Sequence, residues 1–277
     1  MGIVQNKHLW FTHILYMNDS SEYTYALDLI DKELKEEYEI KIDTLGYRTH
    51  ISSFFEEVPF TFSLSEEKDL LSQWRGYCPN GRFSVSFNGE NSGEDLQLNK
   101  MMKRYELYIG KCVYEEAEQK KFIRKYIVEM EPEECKQRFK EMEPQPGLNP
   151  EDISKWEATS SKARGAKAAE KYLFIHKMMD RIIKYAPLFK HPSFREEREW
   201  RIVSTRSNNR KLRQGKSFLV PYLDLLLCDV DEHVKIEEVV VGPTPHAELA
   251  RNSCTMLLKQ FKAETKTTES EIPYRNW

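Results

Sequence analysis

The sequence lacks any run of about 18 apolar residues, the shortest stretch that predicts a membrane-spanning helix. Its first residues also lack the long apolar segment of a secretory signal peptide. The five cysteines are scattered and odd in number, and no two form a Cys-x-x-Cys pair. Neither a disulfide framework nor a zinc knuckle is therefore expected. These absences predict a cytoplasmic protein without a membrane partner.

The chain also has little net charge, because 42 Lys and Arg residues nearly balance 45 Asp and Glu residues. This balance gives no clear nucleic-acid signal. The seven histidines include no His-Glu-x-x-His motif, and none lies at ligand spacing from a cysteine, so no metal site is predicted. Hydrophobic residues make up 40% of the 277 residues, which is enough for a sizeable core.

Hydrophobic periodicity predicts an α+β fold. Alternating or β-branched segments predict strands at residues 9–16, 60–65, 82–87, 200–203 and 237–241. Residues 91–190 are mostly helical in pattern, with a strand-like piece near 105–114 and a proline-rich break at 143–150. Strands from the two ends must pair across this segment. We therefore predict a single domain over 1–277, with a central split or mixed β-structure and a large helical insertion at about 91–190.

Three helix boundaries can be read from the sequence. Asp19 and Glu22 are spaced as in a capping box, and they precede a helix with an apolar face formed by Ala26, Leu27, Ile30 and Leu34. A short helix is expected to begin at Ser65 and to end at Gly76. The last helix is expected to begin at Thr244 and Pro245, with an inward face of Leu249, Leu257, Leu258 and Phe261.

The strand at 60–65 places three hydroxyl groups on one face. Because alternate residues of a strand share a face, Thr61, Ser63 and Ser65 point away from the core-forming Phe60, Phe62 and Leu64. These hydroxyls could line a site. The alternative is a solvated edge strand with Ser65 as a helix cap.

The segment Glu197-Arg198-Glu199-Trp200-Arg201 is a second candidate. On a strand, Glu197, Glu199 and Arg201 point the same way, and the two carboxylates are about 7 Å apart. One carboxylate could stabilise a developing cation while the other orients a nucleophile, and Arg201 could hold a phosphate. The alternative is a solvated, charge-alternating strand edge.

Aromatic residues supply a third candidate. Trp74 and Tyr77 could stack on a planar ring with Arg75 beside them, although Trp74 could equally belong to the core. His13 shares a strand face with Leu9, and a buried, hydrogen-bonded histidine is expected there.

Four groups of segments carry a family resemblance along nearly the whole chain. They are Leu9-Trp10 with Tyr16-Met17-Asn18-Asp19-Ser20-Ser21-Glu22; Phe62-Ser63-Leu64-Ser65-Glu66 with Leu71-Ser72-Gln73-Trp74-Arg75-Gly76-Tyr77; Glu197-Arg198-Glu199-Trp200-Arg201; and Ile272-Pro273-Tyr274-Arg275. Together they resemble the bacterial family called domain of unknown function 2971. That resemblance implies no settled activity.

A second resemblance does imply an activity. Ser63-x-Ser65, the aromatic and Arg positions after it, and the later Glu197-x-Glu199 are similar to the pattern of ADP-ribosyltransferases. Such enzymes take NAD as substrate and cleave its nicotinamide–ribose bond through an oxocarbenium-like state. The resemblance implies that this protein is an NAD-dependent ADP-ribosyltransferase or NAD glycohydrolase that acts as a toxin or an anti-phage effector. The resemblance implies that Glu199 holds the ribose and stabilises positive charge, and that Glu197 orients an unknown acceptor. It further implies that Ser63 positions Glu199 and that Ser65 belongs to the same cofactor-binding strand. Trp74 or Tyr77 would flank nicotinamide, and Arg75 or Arg201 would contact the diphosphate.

One departure from this pattern concerns the start of the chain. Members of the 2971 family usually begin with an extra strand of His-Tyr-Thr type and then a helix, whereas this chain starts near the end of that helix, at Gly2-Ile3-Val4. The ADP-ribosyltransferase pattern expects its first Arg or His on such a strand. Either the chain is a shortened version, or His13 substitutes, or the dinucleotide pocket is incomplete. The last possibility leaves open a non-catalytic nucleotide- or protein-binding regulatory module. For the transferase hypothesis to hold, the strands at 61–65 and 199–203 must share one β-structure, with Glu199 near Ser63 or Ser65.

Overall fold

A computed structural model describes residues 2–17, 21–40, 58–77, 82–87, 97–142, 170, 173–206, 208–229, 231–263 and 265–273. In this part of the chain, nine strands form two sheets. The larger sheet has six antiparallel strands in the order β4–β5–β2–β1–β7–β6. Its strands are β1 (His8–His13), β2 (Phe60–Ser65), β4 (Tyr108–Lys111), β5 (Glu199–Ser204), β6 (Lys211–Gln214) and β7 (Leu219–Leu226).

The smaller sheet is mixed. It contains β3 (Phe83–Ser86), β8 (Glu238–Val241) and β9 (Lys266–Glu269). The β3–β8 pair is antiparallel and the β8–β9 pair is parallel. The two sheets, together with the helices packed on them, confirm the predicted α+β class.

The helices of the described residues are numbered in chain order. They are α1 (Gly2–Asn6), α2 (Ser21–Glu37), α3 (Leu71–Tyr77), α4 (Gln97–Tyr105), α5 (Glu116–Phe122) with a π-helical turn at Ile123–Val128, α6 (Pro132–Met142), α7 (173–185) and α8 (Ala247–Gln260). Two 3-10 turns, Ala186–Leu188 and Pro192–Glu197, lead from α7 into β5. The expected apolar face of α2 is confirmed, since Ala26, Leu27, Ile30 and Leu34 are all buried.

Two apolar cores lie on opposite faces of the large sheet. On one face, Leu9, Phe60 and Ile202 pack with residues of α4, the smaller sheet and α8. On the other face, Val203 packs with residues of α2 and α7. Helix α2 and the helices of the middle segment therefore cover part of one sheet face, and the rest of that face is left for a cleft.

The predicted helical insertion is tied to the large sheet by backbone hydrogen bonds. Strand β4 lies inside this segment and pairs with β5, with Ile109 opposite Ile202. An isolated bridge between Val113 and Phe189 joins two parts of the segment that are far apart in sequence. The single-domain organisation and the limits of the insertion remain predictions.

The first strand and the first short helix differ from their predicted bounds. Strand β1 ends at His13 because the ring Nδ1 accepts a hydrogen bond from the backbone N–H of Leu15, which stabilises a 3-10 turn. Helix α3 begins at Leu71 and not at Ser65. The Ser65 hydroxyl instead accepts from the N–H of Glu67 and stabilises a local turn. Gly76 lies within α3 and does not end it.

The last helix also begins later than predicted. The Thr244 hydroxyl accepts a hydrogen bond from the N–H of His246, so a turn occupies this position and α8 starts at Ala247. The inward orientation expected for Leu249 is wrong, because its exposed fraction is 69%. Leu258 is buried as expected.

Several predicted features lie outside the described residues. They are the Asp19 cap, the proline-rich break at 143–150, Cys78 and the segment from Tyr274 onward. The four cysteines inside the described ranges are buried and unbridged. None of the described helices is both long and apolar enough to cross a membrane.

Candidate active site

The candidate site is a cleft on the face of the large sheet that carries the hydroxyl groups of β2. In the β2–β5 register, Ser63 is opposite Arg201 and Ser65 is opposite Glu199. Directly opposed residues project from the same face, so the predicted sharing of one sheet and one face is confirmed. The cleft has a volume of about 600 Å³, within the range of small-molecule sites. Its lining includes Ser63, Ser65, Tyr77, Glu197 and Glu199.

Glu197 and Glu199 converge on one ammonium group at the bottom of this cleft. The Nζ of Lys190 donates to the Oε2 atoms of both carboxylates at 2.6 Å. The two oxygens can therefore be no farther apart than twice that distance. Lys190 also lies 2.9 Å from Oε1 of Glu22 and is almost fully buried. The ring of Phe194 covers the ammonium group at 5.0 Å.

Arg201 extends the same charged cluster under the sheet face. Its Nε donates to Oε1 of Glu199 at 2.7 Å, and its Nη1 donates to the backbone oxygen of Pro187 at 2.6 Å. Its Nη2 donates to Oε2 of Glu199 at 3.2 Å and to Glu22. The guanidinium is 1% exposed, and these contacts engage all three of its nitrogens.

The charged neighbours keep Glu199 ionised. Burial alone would raise the pKa of Glu199, but the charges and hydrogen bonds of Arg201 and Lys190 outweigh burial and lower it. Burial likewise opposes the charged form of Lys190, yet Glu199, Glu197 and Glu22 raise the pKa of its ammonium group. The pKa of the Tyr77 hydroxyl is raised by burial and by Glu197.

The cluster carries an excess of one negative charge when all its members are ionised. Its three carboxylates belong to Glu22, Glu197 and Glu199, and its two cations to Lys190 and Arg201. This charge faces a cleft, so the arrangement favours a ligand group that is cationic or becomes cationic during a reaction.

Not all of the predicted site residues reach the cleft. Ser63, Ser65 and Tyr77 line it, and the Tyr77 side chain is 47% exposed. Trp74 is core, as the alternative interpretation held. Its ring is buried, its indole N–H donates to Asp69 at 2.6 Å, and it packs under Gly242. Arg75 is exposed on α3 outside the lining of this cleft.

His13 also lies away from the cleft, on the buried face of β1. It packs edge-on against Tyr16 and Phe60, and burial lowers the pKa of its imidazole to about 4, helped by Arg210. It is the buried, hydrogen-bonded histidine that the strand pattern predicts. Its proposed substitution for a first-strand cofactor contact does not fit this position.

Three further expectations about the charged segment need correction. Glu197 is not on β5, because it ends a 3-10 turn and the left-handed Arg198 separates it from the strand. Glu199 is positioned by Arg201 and Lys190, and among the described contacts Ser63 makes no hydrogen bond to it. Arg201 is committed to protein partners and is buried, so it does not present a free fork to a diphosphate.

Sequence reasoning did not assign Glu22, Lys190 or Arg213 to the site. Glu22 continues the i, i+4 spacing of Ala26 and Ile30, so a carboxylate on the buried stripe of α2 was a readable signal. Lys190 follows the apolar run 186–189, where a lone cation is unusual. Arg213 lines the opposite end of the cleft from β6. The described residues contain no cluster of His, Cys, Asp or Glu that could hold a metal ion.

Comparison with known proteins supports the first resemblance in part. Residues 73–202 match the family model described as Protein of unknown function (DUF2971), so this part of the chain is similar to that family. The match includes helix α3 from Gln73 onward and the Glu197–Arg201 segment. No curated protein and no solved structure matches the chain. These comparisons do not support the similarity to ADP-ribosyltransferases.

Proposed function

We propose that the cleft binds NAD, or a related nucleotide, and cleaves the bond between nicotinamide and ribose. The chain would then act as an ADP-ribosyltransferase or an NAD glycohydrolase, with NAD as its substrate. The supporting observation is the convergence of Glu197 and Glu199 on Lys190 at the bottom of a cleft lined by Ser63, Ser65 and Tyr77.

The charge of the cluster suits this chemistry. When the C1′–N bond breaks, both bonding electrons leave with the nicotinamide nitrogen, and positive charge develops on the ribose. Glu199, whose pKa is lowered, supplies an ionised carboxylate to stabilise that charge. Paired carboxylates at short separation serve oxocarbenium-like transition states in the related hydrolysis of glycosides.

In the proposal, Glu197 serves the second half of the reaction. Its side chain is more exposed than that of Glu199, at 18% against 7%. In the proposal, Glu197 accepts the proton of the attacking water or acceptor hydroxyl as the new bond to C1′ forms. Lys190 holds both acids in place, so that neither depends on the substrate for its orientation. Tyr77 offers an exposed ring against which nicotinamide can stack.

Nicotinamide release from NAD tests the proposal directly. We expect release by the wild type and by Glu196→Gln, a matched control whose side chain is exposed and outside the cleft lining. Glu199→Gln should lower the rate by about 100-fold or more. Thermal unfolding of each variant establishes that it is folded. Background-level release by folded wild type, with candidate acceptors present, would refute the proposal.

A second candidate is a binding or regulatory module that uses the same cleft without turnover. It is favoured by the fact that Lys190 occupies Oε2 of both acids at 2.6 Å and so competes with any proton transfer to these atoms. A ligand that binds only the folded state raises its melting temperature. Stabilisation by ADP-ribose without nicotinamide release from NAD would favour this candidate over the enzyme.

A further inference from the structure

The end of the cleft opposite the charged cluster is built around Arg213. This residue lies on β6, and its Nη2 reaches back across β7 to donate to the Thr12 hydroxyl of β1 at 3.4 Å. Arg213 lines the cleft together with Thr12 and Trp10. Its guanidinium is thus directed over the same sheet face as Ser63 and Glu199.

The positive charge of Arg213 is not neutralised within the described residues. Its Nε is buried without a hydrogen-bond acceptor there, and no described carboxylate forms an ion pair with it. The carboxylate of Asp224 on the neighbouring strand β7 is engaged by Lys211, His8 and the Trp10 indole N–H. A partly buried guanidinium without an anion is unfavourable, and a bound phosphate would supply both the charge and the acceptors.

Trp10 provides an aromatic surface beside this cation. The side chain is 49% exposed although it stands on a central strand. Its ring is held by the bond from the indole N–H to Asp224 at 3.0 Å and by the ring of Tyr222 at 5.0 Å. The Arg213 guanidinium lies 5.9 Å from its centre. A fixed, exposed indole next to a cation is suited to stack on a planar base.

The register of the sheet sets the length of ligand that can use both ends. Thr12 pairs with Thr61, and Glu199 pairs with Ser65, four residues farther along β2. Neighbouring strands stand about 4.8 Å apart and rise about 3.4 Å per residue. Two strand spacings and four residues separate Thr12 from Glu199, so their backbones are about 17 Å apart. A dinucleotide can span this length, whereas a ribose cannot.

We propose that Arg213, Thr12 and Trp10 form an anion subsite that takes a phosphate group of a nucleotide, with its base against Trp10. The inference rests on the proposed function, because it assigns the other half of the same ligand. Arg213 replaces Arg75 and Arg201 as the phosphate contact. Thr12 accepts from Arg213 and keeps its own O–H to donate to the phosphate.

Calorimetric titration with ADP-ribose and with adenosine tests this subsite. We expect Arg213→Gln to weaken ADP-ribose binding by about tenfold or more and to leave adenosine binding unchanged. Trp10→Leu should weaken both ligands, since both carry the base. Lys216→Gln is the matched control, because it removes the same charge from the exposed turn after β6. Arg213→Lys, expected to be intermediate, replaces Arg213→Gln if the latter does not fold.

The outcomes separate this subsite from the proposed reaction. Equal ADP-ribose affinities for the Arg213 and Lys216 variants would overturn the subsite, as would no ADP-ribose binding by folded wild type. If the wild type releases nicotinamide while Arg213→Gln has an unchanged KM for NAD, the reaction stands and the subsite fails. If Arg213→Gln weakens ADP-ribose as expected but the wild type releases no nicotinamide, the subsite stands and the reaction fails.

Discussion

Replacing Lys190 by methionine gives the sharpest test of the charged cluster. Methionine keeps much of the length and apolar bulk of lysine but removes the ammonium group. In the wild type this group contacts Glu197 and Glu199 at 2.6 Å and Glu22 at 2.9 Å, and it is 2% exposed. The variant leaves three carboxylates with Arg201 as their single cation in the cluster. Removing one partner of a buried ion pair costs about 3–5 kcal/mol.

Urea unfolding followed by far-ultraviolet circular dichroism measures this cost. The matched control is Lys111→Met, which removes the ammonium group from an exposed pair with Glu66 and should cost about 1 kcal/mol or less. We expect the double variant Lys190→Met/Glu199→Gln to regain part of the lost stability, because it has one unpaired carboxylate fewer than Lys190→Met. A Lys190 variant no less stable than the Lys111 variant would refute the idea that Lys190 neutralises the cluster.

The pH dependence of the same variants gives a second test. Because the pKa of Glu199 is lowered below its ordinary value of 4.5, its stabilising effect is present above that pH and is lost as the pH falls through the folded-state pKa. In Lys190→Met this effect is weakened, and protonation relieves the unpaired carboxylates. The stability difference between wild type and variant should therefore shrink below about pH 4.5. A difference that stays constant from pH 7 down to about pH 3 would contradict this assignment.

Three further predictions concern single contacts. Tyr114→Phe removes the hydroxyl that accepts a hydrogen bond from the backbone N–H of Glu199 at 2.8 Å. In urea unfolding, the free energy of unfolding should fall by about 1–2 kcal/mol. An unchanged midpoint would show that this N–H finds another acceptor. Gly242→Ala places a Cβ 2.7 Å from the ring of Trp74, so thermal unfolding should show that the free energy of unfolding falls by about 1–3 kcal/mol. The control Gly76→Ala, with open space around the new Cβ, should show no loss of stability. The pKa of His13 is lowered from 6.5 to about 4, so stability should fall as the pH drops between these values, by about 3 kcal/mol. His13→Asn should abolish that slope in urea titrations at successive pH values, and an identical slope would exclude His13 as its source.

The sequence by itself determined the faces of individual strands. Alternation in β2 separates Phe60 from Thr61 whatever the rest of the chain does, since successive side chains of a strand point to opposite faces. The same rule placed Glu199 and Arg201 on one side of β5, and the apolar stripe of α2 predicted its buried side. These features follow from the backbone geometry of one strand or one helix, so the residues of that segment are enough to predict them.

Only the tertiary structure decided which charged groups meet. Glu22, Lys190 and Glu199 are brought together by α2, the turn before β5 and β5 itself, and no spacing along the chain encodes that contact. The position of Glu197 depended on a left-handed residue at Arg198, which is not a residue type that prefers this conformation. Tertiary packing likewise put Trp74 in the core and Arg213 on the lining of the cleft. Whether a side chain lies in the core or in a cleft depends on what packs over it, and strand order, not sequence order, sets those neighbours.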